Sequence, residues 1–163
     1  MKNDFEFDFL DKKNAVVIED QPVIWDYARS CLENFYQVKA FCTNTKEAEL
    51  AVKEFKPDLV WLDCYLGELS ENNQGVKNSG LQIASWIKNH YPETKIFLFT
   101  ASTEMSIMTY AKKIGIEGLA LGGKFIKDKS IICNGLQVVY FGQNWLSPNL
   151  IEHLEMEDFS SVT

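Results

Sequence analysis

Three acidic residues, one hydroxyl and one lysine recur at the same kind of place in this sequence, just after a short apolar run. Glu19 and Asp20 follow residues 15–18 (AVVI), and Asp63 follows 59–62 (LVWL). Thr100 follows 96–99 (IFLF), and Lys124 comes after 119–121 (LAL) and two glycines. Two or three carboxylates suit Mg²⁺, a hard cation that binds few protein oxygens and keeps several waters. An aspartate in such a set can act as a nucleophile and form an acyl phosphate. Phosphoryl transfer rests on positioning and charge neutralisation, which Mg²⁺ and a lysine supply. Asp63 is therefore the candidate nucleophile, and Thr100 and Lys124 are placed to contact the new phosphate oxygens. Taken singly, each residue has an ordinary role: acids after a strand favour the positive end of the next helix, and threonines cap helices. Taken together, at the same end of different strands, they point to a site.

That convergence requires a parallel sheet, because ligands of open α/β sheets bind outside the carboxyl ends of the strands. The continuous apolar runs fit strands covered by helices on both faces. Helical stripes lie between them. Ile24, Tyr27, Ala28, Cys31 and Phe35 follow Pro22, a favoured first-turn residue. Ala48, Ala51, Val52 and Phe55 follow Asn44 and Glu47, which have capping-box spacing. Leu81, Ala84 and Lys88 mark a third helix ending near Pro92; Met105, Met108 and Ala111 mark a fourth, closed by Gly115. Ile132, Leu136, Val139 and Tyr140 mark a fifth, ending at Gly142, and a further strand is expected over 37–42. Strand then helix, five times, predicts one α/β domain with a five-stranded, doubly wound parallel sheet. Residues 67–80 (GELSENNQGVKNSG) read as a long polar loop. The expected division is a polar N-terminal extension (1–13), the domain (14–148) and an acidic tail or linker (149–163).

Composition narrows the function. The 163 residues are 46% hydrophobic and 24% charged, as in an ordinary globular protein. A net charge of −7 argues against direct nucleic-acid binding by this segment. No apolar run approaches the roughly 20 residues of a membrane span, and the acidic N-terminus is unlike a signal peptide, so a cytoplasmic location is expected. The four cysteines are scattered and read as buried thiols, not as a disulfide framework or zinc site.

In this setting several segments resemble the receiver domains of bacterial two-component response regulators. VVIEDQP (16–22) is similar to the family's first strand and acidic pair, and KPDLVWLD (56–63) to the strand ending in its phosphoacceptor aspartate. KIFLFTAS (95–102) resembles the strand ending in its switch threonine, and GIEG (115–118) the turn into its fifth strand. NWLSP (144–148) is similar to the end of NarL/FixJ-type receivers, which precede a linker to a helix-turn-helix domain. The resemblance spans about residues 14–148 and implies a flavodoxin-like, CheY-like fold. It implies that Glu19, Asp20, Asp63 and the backbone carbonyl of Tyr65 hold Mg²⁺. It further implies that Asp63 takes a phosphoryl group from a sensor histidine kinase. Thr100 would move toward the phosphate, Tyr65 and Ser102 would tune its loss, and Ala101 would leave room for access. The implied role is a phosphorelay signalling domain, not a metabolic enzyme, that dimerises when phosphorylated. It would regulate transcription through a fused DNA-binding domain absent from this chain.

Three departures from the family pattern stand out. Residues 67–80 make the loop beside the site longer than usual. The family lysine falls on Gly122, so Lys124 serves only through a two-residue bulge, with Lys127 or no lysine as alternatives. The expected switch aromatic is Leu119, with Phe125 nearby but out of register. These departures also suit an atypical receiver that works by protein contacts without phosphorylation. A phosphatase of the aspartate-nucleophile type needs a second aspartate where Tyr65 stands. A flavodoxin-like cofactor binder lacks its phosphate loop after Ile18.

Overall fold

The computed structural model describes residues 12–66, 79–102, 104–122 and 128–160, with side chains of the last helix described as far as residue 154. Strands β1 (Lys13–Ile18), β2 (Tyr36–Cys42), β3 (Leu59–Asp63), β4 (Lys95–Thr100) and β5 (Gly118–Leu121) alternate with helices α1 (Pro22–Leu32), α2 (Thr45–Phe55), α3 (Ser79–His90), α4 (Met105–Ile114) and α5 (Lys129–Tyr140). A short β6 (Trp145–Leu146) and a helix α6 (Pro148–Ser160) follow. The sheet is parallel throughout, in the order β2-β1-β3-β4-β5-β6.

Strand pleating sorts the apolar runs into two cores. Val16, Ile18, Val60, Leu62, Ile96, Leu98, Leu119 and Leu121 point to one face, against α2, α3 and α4. Ala15, Val17, Leu59, Trp61, Phe97, Phe99 and Ala120 point to the other, against α1 and α5. Burial on both faces is why these runs show no polar alternation. Local signals set the helix ends. Pro22 opens α1, the Asn44 side chain accepts the Glu47 N–H at 2.9 Å, and the Asp128 carboxylate accepts the Ser130 N–H at 2.9 Å. Gly115, at φ 81°, closes α4.

The five expected strands are present, and the structure corrects the edges of the reading. β6 adds a sixth strand beside β5, pairing Gly118 with Trp145 and Leu119 with Leu146. Two residues are too short for any hydrophobic period to show. The expected tail is helical from Pro148. Ser79 and Gly80, read as loop, form the first turn of α3, while 67–78 lie outside the described residues. Among the described residues no helix is long and apolar enough to cross a membrane.

Candidate functional site

The carboxyl ends of β1 and β3 are adjacent because those strands pair directly, Ile18 opposite Leu62. One residue further along each, Glu19 and Asp63 face the same space. Glu19 is held on three sides. Its N–H donates to the Cys42 carbonyl at 2.8 Å, its carbonyl accepts from Trp25 Nε1 at 2.8 Å, and its Oε1 accepts the Gln21 N–H at 3.1 Å. The residue is 3% exposed. Asp63 Oδ1 accepts the Tyr65 N–H at 3.3 Å. With Asp20, one oxygen from each of the three carboxylates lies within 4.8 Å of the others.

Three carboxylates this close repel one another, and partial burial denies them the solvation that would offset the repulsion. Burial, and then the Asp63 charge, push the Glu19 carboxyl up to about 8. Burial pushes Asp63 up to about 6, while the Tyr65 N–H opposes the rise. Among the described residues no lysine or arginine pairs with these acids. A hard, all-oxygen donor set of this kind fits Mg²⁺, which needs few protein ligands.

The floor of the site depends on close approach by α3. The Gly80 N–H donates to the Cys64 carbonyl at 3.1 Å, and the Leu66 N–H donates to Ser79 Oγ at 3.3 Å. A Cβ at Gly80 would stand 2.0 Å from the Asp63 carbonyl oxygen, so only glycine lets the helix start there. Sequence reasoning missed this role; the one cue was a Ser-Gly pair directly before a helical stripe.

Thr100 ends β4, is buried, and lies beside Asp63 because Asp63 pairs with Phe99. Its Oγ1 accepts the Ser102 N–H at 3.1 Å. Its carbonyl accepts the Gly122 N–H at 2.6 Å. Lys124, Lys127 and Phe125 lie outside the described residues. Gly122 is described, and there the structure explains the missing lysine. A Cβ on Gly122 would fall 2.5 Å from Phe99 Cζ, so the aromatic ring fills the space of a lysine stem. Leu119 is buried in β5, in the core with α4.

A family model for the response regulator receiver domain matches residues 15–121. The chain belongs to this family. Solved receivers share its fold. A two-component response regulator of the LuxR family from Aurantimonas sp. SI85-9A1 superposes with a TM-score of 0.74, at 19% identity, covering 91% of this chain and 99% of that one. The isolated REC domain of RcsB from Salmonella enterica serovar Typhimurium, determined with the phosphomimetic BeF₃⁻, gives 0.71 at 16% identity, covering 87% and 98%. The RcsB–DNA complex gives 0.74 at 16%, covering 88% of this chain and 68% of that one. No curated protein matches the chain by sequence. As a receiver domain of a response regulator, it is a signalling module of two-component systems.

Proposed function

We propose that this receiver accepts a phosphoryl group on Asp63 from the phosphohistidine of a sensor histidine kinase. The observation that carries the reading is the meeting of Glu19, Asp20 and Asp63 at adjacent strand ends, next to Thr100. An Asp63 carboxylate oxygen attacks phosphorus, the P–N bond to imidazole breaks, and the histidine leaves with the electron pair. Glu19, Asp20, Asp63 and the Tyr65 carbonyl hold Mg²⁺, which when bound neutralises charge on the acids and the incoming phosphoryl oxygens. The Tyr65 N–H fixes the Asp63 carboxylate, and the Thr100 hydroxyl, now held by the Ser102 N–H, turns to a phosphoryl oxygen. Lys124 supplies the cation for the remaining oxygens. Tyr65 and Ser102 tune hydrolysis of the acyl phosphate, and Ala101 leaves access open. The phosphorylated domain dimerises and, in the cytoplasm, acts on transcription through a fused DNA-binding domain.

Acetyl phosphate with Mg²⁺ provides the test. Mass spectrometry is expected to show an added phosphoryl group on the wild-type chain and none on Asp63→Asn. No modification, or equal modification of both, overturns the reading.

The Phe99 ring at Gly122 favours a second reading, in which the domain acts by protein contacts without phosphorylation. Mg²⁺-dependent beryllofluoride binding with a change in oligomeric state counts against it.

A further inference from the structure

The edge of β5 nearest the site is finished by side chains, not by a strand. β6 pairs with β5 only at Gly118 and Leu119, after which the chain turns into α6. The Ser147 N–H still reaches the Leu119 carbonyl at 3.0 Å. Beyond that point two side chains continue the ladder. Ser147 Oγ accepts the Leu121 N–H at 3.0 Å, and Asn149 Nδ2 donates to the Leu121 carbonyl at 3.1 Å. Both outward backbone groups of Leu121 are thus held by the first residues of the C-terminal helix and its cap. Ser147 is buried, and its carbonyl accepts the Leu150 and Ile151 N–H groups that start α6. On its other side Leu121 is the β5 partner of Thr100, whose carbonyl also holds the next residue, Gly122.

We propose that Ser147 and Asn149 are the positioning residues that carry the state of Thr100 to α6, through the backbone of Leu121. The inference rests on the reading of Asp63 as phosphoacceptor and of Thr100 as its responding hydroxyl. When Thr100 turns toward a phosphoryl oxygen, the β4–β5 pairing moves Leu121 with it. A displacement of about 0.5 Å takes the Asn149 contact past the usual N–H···O range of about 3.2 Å. The hydroxyl of Ser147 is committed to the same residue, so the cap and first turn of α6 are released or re-seated together. The route uses backbone and two short polar side chains, which explains how a receiver with Leu119 in place of a switch aromatic can still respond.

Hydrogen exchange on the full chain, with and without beryllofluoride and Mg²⁺, tests the route. In the wild type, exchange over residues 147–154 is expected to change by about threefold or more on beryllofluoride binding. Ser147→Ala and Asn149→Ala are expected to lose that difference while taking a phosphoryl group from acetyl phosphate to the wild-type extent. Ile151→Ala, on an exposed position of α6, keeps it. Loss of a purely structural hydrogen bond raises exchange equally in both states and leaves the ligand-dependent difference intact; that result overturns the proposal. Asn149→Ala leaves the Ser147 cap in place and is read independently if Ser147→Ala does not fold. Phosphorylation of Asp63 with no change over 147–154 in the wild type sinks the route alone. Absence of both phosphorylation and beryllofluoride binding sinks the phosphoacceptor reading and the route with it.

Discussion

The ring of Phe99 occupies the space in which a side chain at Gly122 would have to begin, with Phe99 Cζ 2.5 Å from an ideal Cβ. Phe99 also packs in a tilted contact against Trp61, ring centroids 4.8 Å apart, and meets Tyr27 at 5.9 Å. The ring is thus fixed from below by the aromatic core between the sheet and α1. Position 122 is glycine because the Phe99 ring, reaching over from β4, fills the space beside it.

Restoring a lysine at 122 by itself is expected to fail. Gly122→Lys overpacks against Phe99 and costs about 1–3 kcal/mol in denaturant unfolding, without faster phosphorylation. Phe99→Val leaves a void and costs about 1–3 kcal/mol. The double variant fits one change into the other and recovers more than about 1 kcal/mol relative to the sum. Additive losses would remove the steric account of the missing lysine.

The carboxylate cluster fixes the sign of a pH effect. In the native state burial and Asp63 keep Glu19 protonated up to about 8, whereas the unfolded chain loses that proton near 4.5. Between those values the native state holds more protons, so stability falls as pH rises toward 8. Asp63, raised from 3.8 to about 6, adds to the fall at the lower end. The loss is on the order of 2 kcal/mol once solvent screening of the open site is allowed for. Thermal melts in chelator are expected to decline from pH 5 to pH 8, and Glu19→Gln to flatten the decline. Mg²⁺ competes with these protons, so its addition raises the melting temperature far more at pH 8 than at pH 5. An equal rise at both values argues against binding at these carboxylates.

The carboxylate cluster was legible in the sequence because its logic is local. A buried parallel strand is a run of apolar residues, and the first polar residue after it stands at the ligand-binding edge. Glu19, Asp63 and Thr100 follow from that rule, and Asp20 is the residue next to Glu19. The surroundings of the cluster depend on contacts across the sheet that no short window contains. Gly122 is explained by Phe99, and Gly80 by the carbonyl of Asp63. Ser147 and Asn149 are explained by Leu121, 26 and 28 residues earlier. β6 has only two residues and lies inside the expected domain without a strand signal of its own, and α6 starts at a proline in an acidic segment without a clear apolar stripe, so residues 149–163 read as a tail.

Trp61 supplies a check on the aromatic core. Its indole is fully buried, and Nε1 has no hydrogen-bond partner among the described residues. A buried donor left unpaired costs about 1–3 kcal/mol. Trp61→Phe removes that donor along with part of the ring, so the two effects oppose each other. The expected change in unfolding free energy is within about 1 kcal/mol, against about 3–5 kcal/mol for Trp61→Ala. A loss on Trp61→Phe as large as that of the alanine variant would mean that the indole nitrogen is satisfied.

The seat of the C-terminal segment gives a prediction whose sign reverses. Trp145 lies flat on Phe97, with ring centroids 5.7 Å apart and planes 15° apart, and its other edge fills the gap at Gly135 in α5. A Cβ at Gly135 would stand 2.5 Å from the indole. In the wild-type background Gly135→Ala therefore drives Trp145 off its seat and costs about 1–3 kcal/mol by overpacking. Trp145→Ala loses the stacked ring and costs about 3–5 kcal/mol. Once the indole is gone, nothing opposes the new methyl group. Alanine in a helix interior is then better than glycine by about 0.5–1 kcal/mol. Gly135→Ala is thus expected to destabilise the wild type and stabilise Trp145→Ala, measured as two legs of one denaturation cycle. The same sign on both legs would show that α5 tolerates a side chain at 135 regardless of Trp145, and that the indole is not what keeps the position small.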